Sequence, residues 1–275
     1  MGTQLSSLVF QPPDASYDHT KPFLIWLTTK RKHLIPAFYL DQKSKVTLLF
    51  SHGNAEDLGT IYEWFVIVAM ELNVNILAYD YEGYGRSSGP PTEQLCYEDI
   101  DAAYDHLTTT LQQKPHNIVV YGRSLGSGPS LYLAERLNAD GVKLGGVILQ
   151  SAMLSVFRVA FPFRFTFPWD MFPNVDRIKS LQCPVWLIHG TRDEIVPFWN
   201  SEQLFLSTPI KYRAKPFWID GAGHNNLEIY HSDPNLFLSQ FRDFLFLHIP
   251  AYGGSVAAVS VKGSRESRKS GGGGG

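Results

Sequence analysis

Apolar positions along this chain fall into short unbroken runs that alternate with longer, helically spaced segments. Runs rich in β-branched and aromatic residues at 23–27, 35–40, 46–51, 76–79, 118–121, 146–150, 185–189 and 217–220 predict strands. Between them, apolar residues recurring every three to four positions predict helices near 59–72, 93–111, 124–137, 199–206 and 236–247. The central runs are apolar at nearly every position, as expected of strands covered on both faces. The first runs are separated by short polar turns and are expected to form an antiparallel edge. This alternation predicts an α/β fold, with a mostly parallel eight-stranded sheet and helices on both faces.

Composition sharpens the picture in a few places. A chain of 275 residues with 44% hydrophobic content can bury a large two-sided sheet as one unit. Without an internal repeat or linker, residues 1–250 read as one domain. From Gly253 the sequence turns to Gly, Ser, Ala, Lys and Arg, so residues 251–275 are expected to be a disordered tail. A net charge of −2 gives no reason to expect nucleic acid as a partner. The only cysteines, Cys96 and Cys183, suggest neither a disulfide framework nor a metal site, and are expected to pack as small apolar residues in a reducing, cytoplasmic setting.

The richest chemical signal lies where the run at 118–121 empties into Gly122-Arg123-Ser124-Leu125-Gly126 and a helical pattern follows at once. Strand, sharp turn and helix, with a serine at the apex, is the arrangement that lifts a hydroxyl clear of a sheet. Glycines two residues to either side fit because so tight a turn leaves no room for a Cβ. A serine hydroxyl needs a base and an orienting acid to become nucleophilic. Both occur further on, in the expected order of serine, acid, histidine. The run at 185–189 empties into Gly190-Thr191-Arg192-Asp193-Glu194, and the run at 217–220 into Gly221-Ala222-Gly223-His224-Asn225. Loops after parallel strands share one sheet edge, so residues 124, 193 and 224 can converge there. Ser124 is the candidate nucleophile, His224 the base and Asp193 the acid that fixes its tautomer. Glu194 and Asp220 are the alternative acids. His52 and His189, each before a glycine, are read as turn-shaping residues.

An oxyanion produced by such an attack needs two donors. The Leu125 amide is one. The loop His52-Gly53-Asn54-Ala55 after the run at 46–51 supplies the other, with Asn54 preferred and Ala55 its neighbour. No cofactor or metal is required by this chemistry. Residues 157–172 contain seven aromatics in sixteen positions, an excursion long enough to arch over the serine. Phe157, Phe161, Phe163 and Phe165 are expected to line an acyl groove or lid, because each buried CH₂ contributes roughly 0.8 kcal/mol. The same surface could dip into a bilayer, and individual rings could equally be core.

Ser124, Asp193 and His224 in this order and setting resemble the α/β-hydrolase superfamily, as does the glycine-rich turn from Asp80 to Ser87. More narrowly, the phrases beginning at His52, Arg158, Phe172, His189 and Gly221 resemble the α/β-hydrolase-domain 17 group of serine hydrolases, across roughly residues 7 to 248. Arg158-Val159-Ala160-Phe161-Pro162 and Phe172-Pro173-Asn174 are the more specific of these, since they lie outside the catalytic loops. That group removes palmitate from cysteines of membrane-associated proteins. The resemblance therefore implies an S-acyl thioesterase acting on S-acylated proteins, with a lipid esterase, lysophospholipase or monoacylglycerol lipase as the alternative. A non-catalytic adaptor would be expected to lack a triad member; a serine peptidase is also possible in this fold, but nothing suggests a propeller or a peptide-terminus site. Two departures stand out: no cysteine precedes Cys96, where animal members carry an N-terminal cluster, and Arg123 and Leu125 replace their usual Gln and Ile.

No run of ~18 apolar residues is present, because residues 61–79 are broken by Glu63, Glu71, Asn73 and Asn75. No secretory signal pattern opens the chain. Met1-Gly2-Thr3-Gln4-Leu5-Ser6 fits the N-myristoylation pattern, making Gly2 a candidate lipidation site. One myristoyl chain binds membranes marginally, so a second signal is needed; Lys30-Arg31-Lys32 and the basic tail (Lys262, Arg265, Arg268, Lys269) are candidates. A peripheral position on the cytosolic face of membranes is the resulting expectation.

Overall fold

The computed structural model describes residues 9–160, 170–233 and 235–253, with only the backbone of residue 160. Eight strands, β1 (Leu24–Thr28), β2 (Leu34–Leu40), β3 (Thr47–Ser51), β4 (Asn75–Tyr79), β5 (Ile118–Arg123), β6 (Gly146–Gln150), β7 (Val185–Gly190) and β8 (Phe217–Ile219), form one sheet in the order β1-β2-β4-β3-β5-β6-β7-β8. β1 and β2 pair antiparallel and form the expected edge; from β4 to β8 every pairing is parallel. The register aligns the carboxyl ends: Ser51 faces Tyr79 on one side and Gly122 on the other, Arg123 faces Gln150, and Gly190 faces Ile219. Loops bearing Asn54, Ser124, Asp193 and His224 therefore all leave from one rim.

Two-sided burial follows from alternation within the apolar runs. Leu49, Val120, Leu149 and Leu187 enter one core, while Leu48, Tyr121, Ile148 and Trp186 enter the other. Helices α2 (Glu93–Asp105), α3 (Ser127–Ala139) and α6 (Trp199–Ser207) cover the first face; α1 (Leu58–Leu72) and α7 (Leu236–His248) cover the second. α1 starts at a capping box in which Asp57 accepts from the Thr60 amide and Thr60 reaches back to the Asp57 amide. It ends at Asn73 in the left-handed region (φ 49°).

The continuous helix expected over 93–111 is interrupted: α-geometry stops at Asp105 and a wider π-turn occupies His106–Thr110. There the hydroxyls of Thr108 and Thr109 donate to the Tyr104 and Asp105 carbonyls and loosen the helical ladder. The pattern at 124–137 likewise resolves into a 3₁₀ turn, Ser124–Gly126, before α3 begins. Two short helices, α4 (Val156–Ala160) and α5 (Asn174–Arg177), were not legible as periodic segments. Both cysteines are buried and free, and burial pushes the Cys183 thiol up to about 12.

The stems of the aromatic excursion are tied together, with the Val156 amide donating to Met171 O (2.9 Å) and the Phe157 amide to Asp170 Oδ1 (3.2 Å). Phe157 is half-buried at this base. Phe161, Phe163 and Phe165 lie outside the described residues, as do Gly2 and the tail from residue 254. Packing continues as far as Tyr252, which is 2% exposed. Among the described residues no helix is long and apolar enough to cross a membrane.

Candidate active site

Ser124 sits at the end of β5 with φ 50°, a region a non-glycine residue enters only when its surroundings enforce it. The enforcement is steric. A Cβ at Gly126 would lie 2.0 Å from Ser51 O, and one at Gly122 would lie 2.5 Å from Gly126 O. β3 thus approaches the turn so closely that only glycine fits. Below the turn, Ser127 Oγ donates to Ser124 O (2.6 Å), and Asn174 Nδ2 donates to Ser127 Oγ (3.0 Å) and to Met153 O (2.9 Å). The Phe172 ring lies against Gly128, where a Cβ would come within 2.2 Å of it. The phrase Phe172-Pro173-Asn174 therefore underpins the serine turn.

Asp193 and His224 come from loops 31 positions apart and meet directly, with His224 Nδ1 2.7 Å from Asp193 Oδ2. Asp193 Oδ1 accepts the amides of Ile195 (2.9 Å) and Val196 (2.8 Å). Burial works to raise this carboxyl, which is 8% exposed, but the bonds from His189 and His224 and from the Val196 amide outweigh it and hold it well below the usual carboxylate range. An ionised carboxylate only accepts, so Nδ1 of His224 carries the hydrogen and Nε2 is left as the basic nitrogen.

His189 is more than the turn-shaping residue expected of it. Its Nε2 lies 3.1 Å from the same Asp193 oxygen and 2.9 Å from Val196 O, and its Nδ1 contacts Ser201 Oγ at 2.6 Å. The alternative acids face elsewhere. Glu194 Oε2 accepts the His224 amide (3.3 Å) and Asp220 Oδ1 accepts from Thr191 Oγ1 (2.9 Å).

No hydrogen bond joins the Ser124 hydroxyl to the His224 ring among the described residues. Their loops meet one residue away, where Arg123 Nη2 donates to Asn225 Oδ1 (3.4 Å). Nucleophile–base contacts in unliganded sites are commonly long and tighten only with substrate. Arg123 also pairs with Glu56 (2.7 Å) and lies 3.9 Å from Glu228, tying the serine turn to both neighbouring loops. A cavity of about 210 Å³ opens beside Arg123 and Asn225, walled by Ile61, Trp64, Tyr121 and Ile229; neither Ser124 nor His224 lines it.

The loop after β3 passes close to the serine, since a Cβ on Gly53 would lie 3.8 Å from Ser124 Cβ. The Gly53 amide is occupied by Glu56 Oε2 (2.6 Å). The Asn54 amide has no acceptor among the described residues and remains available as a donor. Leu125 sits in the first turn of its 3₁₀ segment, where amides have no intrahelical acceptor.

His52 and Asp80 are sealed beneath this loop. His52 Nδ1 donates to Gly53 O (2.8 Å), so neutral Nε2 is an acceptor, and it faces Asp80 Oδ1 at 3.4 Å. Burial lowers the imidazole and pushes the Asp80 carboxyl up to about 8, against the bonds it receives from Tyr17 OH and the Leu58 amide. Between about pH 4, the unfolded value, and about 8, the folded chain holds a proton that the unfolded chain releases. Stability should therefore fall as pH rises across that window, and Asp80→Asn should flatten the fall. Thermal midpoints at pH 5 and pH 8 test this; equal slopes in both proteins would exclude a protonated Asp80.

The sheet order, the glycine-bounded serine turn and the rim of loops define an α/β-hydrolase fold. Residues 42–169 match the family described as serine aminopeptidase, S33. The chain is similar to human alpha/beta hydrolase domain-containing protein 17B, at 45% identity over 188 residues, 68% of this chain and 63% of the relative. It is also similar to mouse alpha/beta hydrolase domain-containing protein 17C, at 41% over 208 residues, 75% of this chain and 62% of the relative. The chain thus spans somewhat under two thirds of these relatives' length.

Among solved structures, Pyrococcus furiosus esterase Pf2001 superposes with TM-score 0.70 at 16% identity, covering 87% of this chain and 98% of its own. A monoacylglycerol lipase from Paleococcus ferrophilus superposes with TM-score 0.60 at 17% identity, covering 78% and 99%. At such identities the likeness is one of fold.

Proposed function

We propose that this chain is a serine hydrolase that cleaves long-chain acyl thioesters, with S-acylated cysteines of membrane-associated proteins as the substrate class. The observation that carries the reading is the Asp193–His224 hydrogen bond at the rim where Ser124 stands in its enforced turn. In the mechanism, His224 Nε2 takes the Ser124 proton as Oγ attacks the thioester carbonyl. Leu125 and Asn54 amides hold the resulting oxyanion. Collapse breaks the C–S bond, and His224 returns the proton to the leaving cysteine sulfur. Water then adds to the acyl-enzyme with His224 as base, releasing the fatty acid and restoring the Ser124 hydroxyl.

Two observations favour an acyl substrate over a polar one. The 17-group resemblance extends beyond the catalytic loops to Phe172-Pro173-Asn174, which packs under the serine turn. The sequence from Phe157 to Phe172 is also rich in aromatic residues, and its described ends are joined by the bond from the Phe157 amide to Asp170 Oδ1. Purified protein should be offered an S-palmitoylated peptide, a monoacylglycerol and a lysophospholipid, with Ser124→Ala alongside. Preference for the thioester by tenfold or more in kcat/KM is expected. Exclusive turnover of either lipid ester would replace this reading with a lipid esterase.

A further inference from the structure

We infer that the N-terminal segment 9–17 is a positioning element of the oxyanion hole, acting through the side chain of Asn54. This rests on the reading of Ser124 as a nucleophile whose oxyanion is held by the Asn54 and Leu125 amides, but not on the thioester as substrate. The Asn54 side chain makes three bonds, none within its own loop. Nδ2 donates to Val9 O (2.7 Å), and Oδ1 accepts the Gln11 amide (2.9 Å) and the Tyr84 hydroxyl (2.6 Å). The carboxamide is thereby fixed from opposite sides, by the segment and by the turn after β4. With the side chain held and the Gly53 amide locked by Glu56, the peptide between them has little rotational freedom. The direction of the Asn54 N–H is set by these contacts.

The segment also grips both flanks of the site. The Ser16 amide (2.6 Å) and hydroxyl donate to Asp57, the residue that caps α1 immediately after the oxyanion loop. Tyr17 OH donates to buried Asp80. Phe10, 3% exposed, meets Phe172 edge-on at 6.2 Å, and Phe172 is the ring pressed on Gly128 beneath the serine turn. One strap of chain thus touches the supports of both proposed donors, Asn54 and Leu125.

An oxyanion donor acts on the transition state and not on the bound ester, so mis-aiming it should lower kcat and leave KM nearly unchanged. The variants are Asn54→Ala, which removes all three bonds; Tyr84→Phe, which removes one hydroxyl; and Gln11→Pro, which removes one amide hydrogen from the strap itself. Each is assayed with p-nitrophenyl butyrate, and active sites are counted by titration with a fluorophosphonate so that misfolded protein does not contribute. Per titrated site, Asn54→Ala is expected to lose about 10- to 100-fold in kcat, and Tyr84→Phe and Gln11→Pro several-fold each, with KM within twofold. If kcat per titrated site stays within twofold in all three while thermal midpoints fall, the strap is only structural and the inference fails. If wild-type protein neither turns over the ester nor takes up the probe, the hydrolase reading itself has failed.

Discussion

Ser124→Ala is expected to lose roughly 10⁶-fold in kcat and all labelling by a fluorophosphonate probe. The loss should be chemical and not structural. Alanine keeps the Cβ that already occupies the positive-φ position, so the turn imposed by Gly122 and Gly126 need not move. The hydroxyl makes no hydrogen bond among the described residues that its removal would break. The nearest substitute is Ser127, whose oxygen is already engaged by Ser124 O and Asn174 Nδ2 in a buried position. A thermal midpoint near that of the wild type, together with absent labelling, is the expected pair of results. Turnover within tenfold of the wild type would show that another residue is the nucleophile.

Asp193→Asn is expected to cost about 10⁴-fold in kcat while preserving the backbone geometry of its loop. Asp193 Oδ2 receives two imidazoles, from His224 at 2.7 Å and His189 at 3.1 Å. An amide nitrogen there would point its hydrogens at two N–H donors. His224 would relieve the clash by moving its hydrogen to Nε2, which is the nitrogen proposed to accept the serine proton. If the amide turned its oxygen towards the rings instead, the loop amides of Ile195 and Val196 would face the NH₂ group. Leaving buried donors unpaired costs roughly 1–3 kcal/mol, so stability at neutral pH should also fall.

The pH dependence has a definite sign. The Asp193 carboxyl titrates lower in the fold than in the unfolded chain. Its contribution to stability is present in full above about pH 4 and is lost as pH falls towards the folded value. The variant should lack this acid-side loss. Measuring kcat and the unfolding midpoint from pH 3 to 8 checks both effects. A kcat within tenfold of the wild type would return the role of acid to another residue.

Much of the site was legible because catalytic loops in a parallel sheet obey a positional rule. Gly122, Ser124 and Gly126 announced a tight turn, and the close approach of Ser51 O gives the reason. Asp193 and His224 each followed an apolar run, and the Gly190–Ile219 register brings those runs side by side. His189 was misjudged because its sequence environment, an apolar run and then a glycine, describes a turn equally well. Only the return of the chain through Val196 and Ser201 reveals that its ring reaches Asp193. The support given by Asn174, the Arg123–Glu56 pair and the strap from Val9 to Tyr17 left no periodic trace. These contacts join distant residues, most of them more than 40 positions apart, through a few individual side chains.

By itself the sequence determined the strands and most helices, the two-faced sheet and the candidate serine, acid and histidine positions. Those features follow from local periodicity, from glycine at a turn that excludes a Cβ, and from the fixed rim that parallel strands share. Tertiary structure alone decided which edge each strand joined, which imidazoles share Asp193 and what aims the Asn54 amide. These are contacts between distant segments, whose partners are chosen by the geometry of the packed sheet and are invisible to any window of neighbouring residues.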